Sequence, residues 1–429
     1  MDTIFALASA RGKAGVSVIR ISGPTARTGL ASMVANLPAP RIASVRPLIS
    51  KDGAVLDHAL VLCFERGHSF TGEETVELHV HGGVATINAV QAELQGFPRF
   101  RLAEPGEFTR RALYNNRMNL TEVEGLADVI DAETEMQRRQ ALRLMSGALK
   151  ERVATWRERL VRFSALLEAS LDFADDEIPD NVYPELLRDI SDLASDLRTE
   201  IAGGKVAERV REGFEVAIIG SPNAGKSTLL NALVGRSAAL TSEIAGTTRD
   251  VIEVRMDLDG LPITLLDTAG LRDSDDEIET MGVNLAKERA DRADLRVFLL
   301  SDPDENLVIE AKPGDLIFLG KADLHKGQPR SVSGKTGAGL QNMLDEVRNE
   351  LVSRVVPSAV SANIRHRQAL EDGLSSLESA CASLMTEPVH SELVAESLRS
   401  ARFSLETVIG KVGIDDLLDE IFSRFCLGK

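Results

Sequence analysis

Residues 220–227 read Gly-Ser-Pro-Asn-Ala-Gly-Lys-Ser and directly follow the apolar run Val216–Ile219. Glycines in such a loop let backbone N–H groups turn toward phosphate oxygens, a lysine adds positive charge, and a serine hydroxyl can reach Mg²⁺. The helical stretch Thr228–Val234 then directs its positive end toward the same phosphates. The sequence therefore predicts a phosphate-binding loop between a strand and a helix. Its expected nucleotide contacts are Asn223, Ala224, Gly225, Lys226, Ser227 and Thr228.

Two further motifs suit Mg²⁺ and the terminal phosphate. Residues 246–248 read Gly-Thr-Thr, and Thr248 is the better candidate for a second magnesium ligand beside Ser227. Residues 267–270 read Asp-Thr-Ala-Gly after the apolar run Ile263–Leu266. Asp267 would hold Mg²⁺ through water, and the backbone amide at the motif's end would sense the γ-phosphate. The residues expected at the nucleotide are Asp267, Thr268, Ala269 and Gly270.

Two loops after the apolar run Leu316–Leu319 suit recognition of a base. The first consists of Gly320, Lys321, Ala322 and Asp323. The Asp323 carboxylate can accept both edge N–H donors of guanine, a pair that adenine does not offer. The second loop, Ser333, Gly334 and Lys335, would complete the base pocket. Each motif is weak alone, but their order and spacing together predict a domain that binds GTP.

One residue expected in such a domain is missing. Ras-like enzymes carry a glutamine after the Asp-x-x-Gly glycine that orients the attacking water, and here that position is Leu271. The Asn223 side-chain oxygen, with carbonyl oxygens of Ser242–Thr247, could instead cage a monovalent cation that offsets transition-state charge. The alternative is that Asn223 only structures its loop.

The rest of the chain alternates between two kinds of pattern. The first ~115 residues have the short apolar runs and Gly/Pro punctuation of mixed α/β structure. Strands are predicted at Val16–Ile21, Ala59–Phe64 and Val76–Val80, and a helix at Val84–Leu94. Helical spacing starts near Leu120. It includes one apolar stripe, interpreted as the packed face of a single long helix: Leu142, Met145, Leu149, Val153, Trp156, Leu160, Phe163, Leu167 and Leu171.

A loop is predicted at Asp172–Pro184, followed by a helix to about Arg211. Strand–loop–helix alternation then runs from Phe214 to about Leu351, which is typical of a parallel α/β domain. Helices resume at Ile364–Met385, Ser391–Gly410 and Asp415–Phe425. A helical sequence interrupted in this way indicates an α/β domain inserted into a helical one.

Composition narrows the class of protein. The net charge of −17 repels phosphate backbones at long range, so a protein that coats nucleic acid non-specifically is not expected. A nucleic-acid partner would need a local basic patch, and the alternative is that the same arginines are ordinary solvated residues. The candidate patch is Arg99, Arg101, Arg110, Arg111 and Arg117.

Cysteine usage and hydropathy predict a cytoplasmic protein. Cys63, Cys381 and Cys426 form neither a disulfide framework nor a metal spacing, which suits a reducing cytosol. No apolar run reaches the ~18 residues of a membrane span, and the start of the chain does not read as a signal peptide. His79 and His81 share a strand face without a third ligand, so a structural role is favoured over a metal site.

Several separate segments resemble the bacterial tRNA-modification GTPase family MnmE, also called TrmE. They read Thr-Ile-Phe-Ala at 3–6, Arg-Ile-Ser-Gly at 20–23, Phe-Thr-Gly-Glu-Glu-Thr-Val-Glu-Leu-His-Val-His-Gly-Gly at 70–83, Glu-Pro-Gly-Glu-Phe-Thr-Arg-Arg-Ala at 104–112 and Cys-Leu-Gly-Lys at 426–429. The resemblance implies a multidomain α+β and α/β fold, with an all-helical central domain interrupted by an inserted Ras-like P-loop GTPase domain. The implied domains are a mixed α/β dimerisation and tetrahydrofolate-binding domain at 1–117, helical parts at 118–211 and 357–429, and a G domain at 212–356.

The resemblance also implies sites. A tetrahydrofolate derivative, 5-formyl or 5,10-methylene, would be bound by Arg20, Glu77, Arg117 and Lys429. A folate's glutamate tail attracts cations and its pterin ring offers N–H donors to a carboxylate. Arg117 stands where the family often has lysine. Potassium would be bound by Asn223, Ser242, Ile244 and Thr247, and the loop of GTP contacts would comprise Ser242, Glu243, Ile244, Ala245, Gly246, Thr247 and Thr248.

Catalytic roles and partners follow from the same resemblance. Thr248 would serve hydrolysis through Mg²⁺, Glu279 would activate water, and Cys426 would take part in the tRNA chemistry. A homodimer, working with the FAD-dependent protein MnmG (GidA), would build a carboxymethylaminomethyl-type group on the wobble uridine of tRNA. The alternatives are a GTP-driven switch in ribosome assembly and a folate-binding module with a vestigial GTPase domain.

One departure from the family concerns the base loop. Gly320 stands where the guanine motif normally begins with Asn, whose side chain ties the base loop to the phosphate loop. Glycine cannot make that tie, so we expect weaker nucleotide affinity with guanine preference retained. On this reasoning Gly320→Asn would raise the affinity.

Overall fold

The computed structural model describes residues 2–172, 182–221, 223–234, 253–267, 288–307, 309–325, 328–355, 360–361, 363–387 and 389–410, together with 418, 421–422, 425 and 428. The chain divides into two compact units. The first comprises Met1–Ala127 and Glu406–Lys429, and the second comprises Asp128–Leu405. The domain boundaries expected from the sequence, at 117, 211 and 356, differ from this division and remain predictions. Among the described helices, none combines the length and apolarity needed to cross a membrane.

The first unit is built on a six-stranded sheet in the order β3-β4-β5-β2-β1-β6. Its strands are β1 Thr3–Leu7, β2 Ala14–Ser22, β3 Ser44–Ile49, β4 Val55–Phe64, β5 Thr75–Gly82 and β6 Phe100–Leu102. All neighbours are antiparallel except β1 and β6. The helices are α1 Ala26–Ala31, α2 Val84–Gln95, α3 Glu107–Tyr114 and α4 Leu120–Asp131. The three strands and the helix predicted in this region are confirmed.

Alternation along β2 and β5 separates the two faces of this sheet. Ile19 and Leu78 belong to the buried core that includes Leu30 of α1 and Val90 of α2. Their neighbours Arg20 and Glu77, which are paired in the ladder, therefore lie on the opposite face. A polar pair is thus presented on the face that does not form this core.

The second unit begins with helices. They are α5 Glu135–Met145, α6 Ala148–Asp172 and α7 Val182–Glu212. The prediction of one long helix through the apolar stripe is wrong, because α5 ends before Gly147, which has a left-handed φ of 89°. The apolar stripe continues across the break because both helices bury one face. Leu142 and Met145 on α5 are nevertheless 38% and 37% exposed, whereas Leu149 on α6 is fully buried.

The nucleotide-binding part of this unit is a five-stranded sheet in the order β11-β10-β7-β9-β8. Its elements are β7 Phe214–Ile219, α8 Lys226–Val234, β8 Glu253–Leu258, β9 Leu261–Asp267, β10 Leu295–Leu300, β11 Leu316–Leu319 and α9 Leu340–Arg354. Only β8 pairs antiparallel among these strands. The helices α10 Ile364–Leu384 and α11 Ser391–Val408 follow. The predicted combination of mixed α/β, helical and inserted α/β parts is confirmed.

Candidate functional site

The phosphate loop joins β7 to α8 at the carboxyl edge of the parallel strands, where ligands of such sheets bind. Asn223 and Gly225 have positive φ angles of 66° and 99°, which turn the loop back toward the start of α8. A Cβ at Gly220 would overlap the Leu299 carbonyl oxygen on β10, so only glycine fits there. The predicted strand–loop–helix arrangement is confirmed.

Lys226, the first residue of α8, is buried against this loop. Its ammonium donates to the carbonyl oxygens of Gly220 and Ser221 at 2.7 and 3.0 Å. Burial lowers the pKa of Lys226 below its ordinary value, and the nearby carboxylates of Asp267 and Glu305 oppose that shift. A cation held among carbonyl oxygens in this way can donate to phosphate oxygens that approach the loop.

Ser227 and Asp267, both predicted to hold Mg²⁺, lie next to each other. The Ser227 hydroxyl donates to Oδ2 of Asp267 at 3.2 Å. Asp267 is buried at the end of β9, and Ser227 stands in the first turn of α8. A hydroxyl and a carboxylate at one strand end are the hard oxygen donors that Mg²⁺ prefers, so the donor set fits this ion.

The two predicted base loops also meet. Ser333 Oγ donates to Asp323 Oδ1 at 2.6 Å, and the Ala322 N–H donates to the Val332 carbonyl at 3.2 Å. The hydrogen bond from Ser333 lowers the pKa of Asp323, with smaller contributions from Lys335 and a histidine nearby. The aspartate is therefore held as the acceptor-only carboxylate that two guanine N–H groups require.

Many predicted residues of the nucleotide site and the terminal tail lie outside the described residues. They are Ser242, Glu243, Ile244, Ala245, Gly246, Thr247, Thr248, Thr268, Ala269, Gly270, Leu271, Glu279, Cys426 and Lys429. Their assignment therefore remains a prediction.

The first unit carries a second candidate site around Arg20. Its Nε and a terminal guanidinium nitrogen lie 3.0 and 2.9 Å from Oε1 of Glu77. The same guanidinium lies 5.5 and 5.8 Å from the ring centres of Phe70 and Phe108. Both charged side chains are about one-fifth exposed, at 22% and 18%. The predicted pair therefore forms beside Phe70, which is partly exposed, whereas Phe108 is fully buried.

Predicted Arg117 and a glycine near the end of the chain make separate contacts within the same unit. A Cβ on Gly72 would lie 3.1 Å from Cγ of Arg117, so Arg117 contacts the loop that also carries Phe70. Near the end of the chain, Gly428 is buried against Leu7 and Ala8 with a φ of 94°, and a side chain there would overlap the Leu7 carbonyl oxygen. Sequence patterns gave no signal for this contact.

Two arginines of the candidate basic patch are paired with carboxylates of the same unit. Arg111 lies 3.0 Å from both Glu73 and Glu107, and Arg101 lies 2.6 Å from Glu107. Burial opposes ionisation of Glu107, but the hydrogen bond from Arg101 and its other partners hold its pKa below the ordinary value. Two of the five arginines are therefore neutralised within the unit, and the assignment of the cluster, as a nucleic-acid patch or as ordinary solvated residues, stays a prediction.

The two histidines contact different carboxylates. His81 Nδ1 lies 2.7 Å from Asp57 Oδ1, while His79 Nε2 lies 3.6 Å from Glu77 Oε2. Within the described part of the chain, no group of three or more His, Cys, Asp or Glu side chains is arranged to hold a metal ion. The favoured structural role is consistent with these separate pairings.

Sequence reasoning missed Glu305. Its carboxylate accepts from the Ser301 N–H at 2.5 Å and is one of the two carboxylates that favour the charged form of Lys226. The Ser301 hydroxyl also lies 3.0 Å from that of Ser221 in the phosphate loop. This second carboxylate belongs to no motif, so only the folded sheet reveals it.

Comparisons with known proteins lead to one family. A family described as the MnmE helical domain matches residues 120–426, and one described as the GTP-binding protein TrmE N-terminus matches residues 3–117. The tRNA modification GTPase MnmE of Roseobacter denitrificans is 54% identical over 429 residues, covering 100% of both chains. The protein of the same name from Cereibacter sphaeroides is also 54% identical, with 100% of both chains covered.

Proposed function

The chain belongs to the MnmE family of tRNA-modification GTPases, and on that basis we propose that its GTP hydrolysis is potassium-stimulated and drives modification of the wobble uridine. The modification is the building of a carboxymethylaminomethyl-type group at C5, with the FAD-dependent MnmG (GidA) as partner. The observation that carries the proposal is the meeting of Lys226, Ser227 and Asp267 at one strand edge. The residues from 212 to 356 form the G domain in this proposal.

Hydrolysis of GTP requires that negative charge on the transferred phosphoryl group be offset. Lys226 brings a buried cation to the loop that would surround the phosphates. Ser227 would hold Mg²⁺ directly and Asp267 would hold it through water, so that these two residues would bring the positive charge of the ion to the site. Asp323 would select guanine by accepting its two N–H donors.

Asn223 supports the potassium part of the proposal. It is exposed on the phosphate loop, with a left-handed φ of 66°, and its side-chain amide carries an oxygen that a cation can use as a ligand. Ser242, Ile244 and Thr247 would complete the oxygen cage, and Thr248 would be the second Mg²⁺ ligand. A fixed cation at this position would offset charge in the transition state. The sequence has Leu271 in place of a catalytic glutamine, so that side chain cannot help.

We expect GTP turnover of the purified protein to be at least about tenfold faster in KCl than in NaCl at equal ionic strength, because one transition-state cation is worth this much or more. Asn223→Ala should remove most of the difference, whereas Asn342→Ala, at an exposed asparagine of α9, should keep it. Equal rates in the two salts would contradict the cation cage.

The first unit is proposed to dimerise and to bind a tetrahydrofolate derivative, 5-formyl or 5,10-methylene, as the one-carbon donor. Support comes from the Arg20–Glu77 pair beside Phe70, which offers a carboxylate and an aromatic face to a pterin ring. Arg117 and Lys429 would contact the same ligand, Cys426 would act in the uridine chemistry and Glu279 in water activation. The cytoplasm is the proposed location, since tRNA is the substrate.

Glu77→Gln is expected to weaken binding of 5-formyltetrahydrofolate by about 10- to 100-fold, since it removes charge-assisted hydrogen bonds. Uridine modification should fall with it, while GTP turnover stays at the wild-type rate. The matched control is Glu65→Gln at an exposed position. Titration calorimetry gives the folate affinity, and mass spectrometry of tRNA nucleosides gives the modification. Wild-type protein that binds no folate would favour the ribosome-assembly switch, and absence of GTP turnover would favour a vestigial GTPase domain.

A further inference from the structure

Gly320 lies directly against the phosphate loop. A Cβ at this position would overlap the carbonyl oxygen of Ala224 and would come within 3.2 Å of the Leu300 carbonyl oxygen. The Gly320 N–H donates to that same Leu300 carbonyl at 2.7 Å, which holds the backbone of residue 320 in this position. The base loop and the phosphate loop therefore approach each other closer than any side chain would allow.

Gly334 makes the same kind of approach from the second base loop. A Cβ there would lie 2.6 Å from the backbone nitrogen of Leu229 and 2.6 Å from the carbonyl carbon and oxygen of Thr228. These atoms belong to the first turns of α8, which begins at Lys226. Both base loops are thus packed backbone to backbone against the elements that would bind phosphate.

Space, not backbone conformation, is what requires glycine at these two positions. Neither Gly320 nor Gly334 has a positive φ, whereas Gly225 and Gly337 do. Any residue could adopt the backbone angles at 320 and 334, but its Cβ would collide with backbone atoms that have no flexible end to move. The close approach is therefore the property that distinguishes these two glycines.

We propose that Gly320 and Gly334 are positioning residues that set the distance between the base-binding and phosphate-binding halves of the GTP pocket. This inference rests on the proposed function of that pocket. A nucleotide spans a fixed distance from guanine to phosphate, so the two halves must be held at matching separation, and errors of about 1 Å cost binding and rate. Direct backbone contact at 320 takes over what a side-chain tie would do.

The expectation drawn from the sequence for Gly320→Asn is therefore reversed. An asparagine could make a side-chain tie only after its Cβ had displaced Ala224 and with it the phosphate loop. If the missing side-chain tie limits affinity, Gly320→Asn should bind nucleotide more tightly and Gly320→Ala should bind it unchanged. If the spacing of the two loops limits affinity, both variants should bind more weakly, since both carry a Cβ.

The test measures KM and kcat for GTP, and Kd for fluorescent GDP, in Gly320→Ala, Gly320→Asn and Gly334→Ala. We expect KM and Kd to rise by about 10- to 100-fold, several times more than any fall in kcat, because the loops are moved apart while Lys226 and Ser227 are retained. Gly373→Ala in α10 is the matched control, since a Cβ there makes only ordinary contacts of 3.5 Å or more.

Two kinetic outcomes would overturn the proposal: a lower KM in Gly320→Asn, or unchanged KM and Kd in both alanine variants. A third is a stability outcome. If the melting temperature without nucleotide falls by more than about 5 °C in each variant, the glycines serve the stability of the fold and not the spacing of the loops. A different result is expected if the proposed function itself is wrong. Wild-type protein would then lack GTP turnover, while the GDP measurements would still report on the spacing.

Discussion

Lys226→Ala is expected to lower GTP turnover by about 10³-fold, because it removes the cation nearest the transferred phosphate from a site where water cannot replace it. The ammonium is buried and held by the Gly220 and Ser221 carbonyls, so its position is set before nucleotide arrives. Lys226→Arg should fail similarly, since a planar guanidinium does not fit a cradle formed around an ammonium. The exposed Lys205→Ala is the control.

The pH dependence of nucleotide affinity tests the same residue. Burial depresses the pKa of Lys226, so its charge is lost at a lower pH than that of an ordinary lysine. The protonated form binds phosphate, and nucleotide affinity should therefore fall as pH rises through this depressed pKa. Fluorescent-GDP titrations across alkaline pH should show a decline that begins at lower pH in wild type than in Lys226→Ala, where only ionisation of the guanine N1–H remains. Turnover of that variant near the wild-type rate would remove Lys226 from the mechanism.

The residues that sequence alone could identify are those whose chemistry is local. Ser227 and Asp267 belong to motifs with fixed neighbours, and the structure brings them within 3.2 Å of each other. Glu305 and the Gly334 contact depend on which strands lie side by side, and no local pattern carries that information. The sheet order β11-β10-β7-β9-β8 is what brings β10 and β11 beside the phosphate loop.

Two features of the folded chain could not be predicted from the sequence, for related physical reasons. An apolar stripe reports which side of a helix is buried, not whether the helix is continuous, so it could not reveal the break at Gly147. A cluster of arginines reports charge along the chain, not in space. The carboxylates of Glu73 and Glu107 that neutralise Arg111 are 38 and 4 residues away in sequence.

Asp323→Asn is expected to change the base preference of the pocket from guanine to xanthine. The carboxylate accepts from two guanine N–H groups, and the amide would meet the guanine amino group donor to donor. We expect GTP affinity to fall by about 10²- to 10³-fold, since a site built around a polar pair rejects the mismatched partner strongly. Xanthine carries a carbonyl in place of that amino group, so the amide N–H₂ can donate to it.

Ser333 makes this expectation specific to the present fold. Its hydroxyl donates to Oδ1 of Asp323 at 2.6 Å, and in the variant it would still favour the amide oxygen on that side. The amide N–H₂ would then be directed at the base, which is the orientation that xanthine requires. Competition of GTP and XTP against fluorescent GDP or XDP measures the exchange, with Asp345→Asn on α9 as an exposed control. If Asp323→Asn still prefers guanine over xanthine, Asp323 does not read the base, and the pocket formed by residues 320–323 and 333–335 must be assigned to something other than guanine.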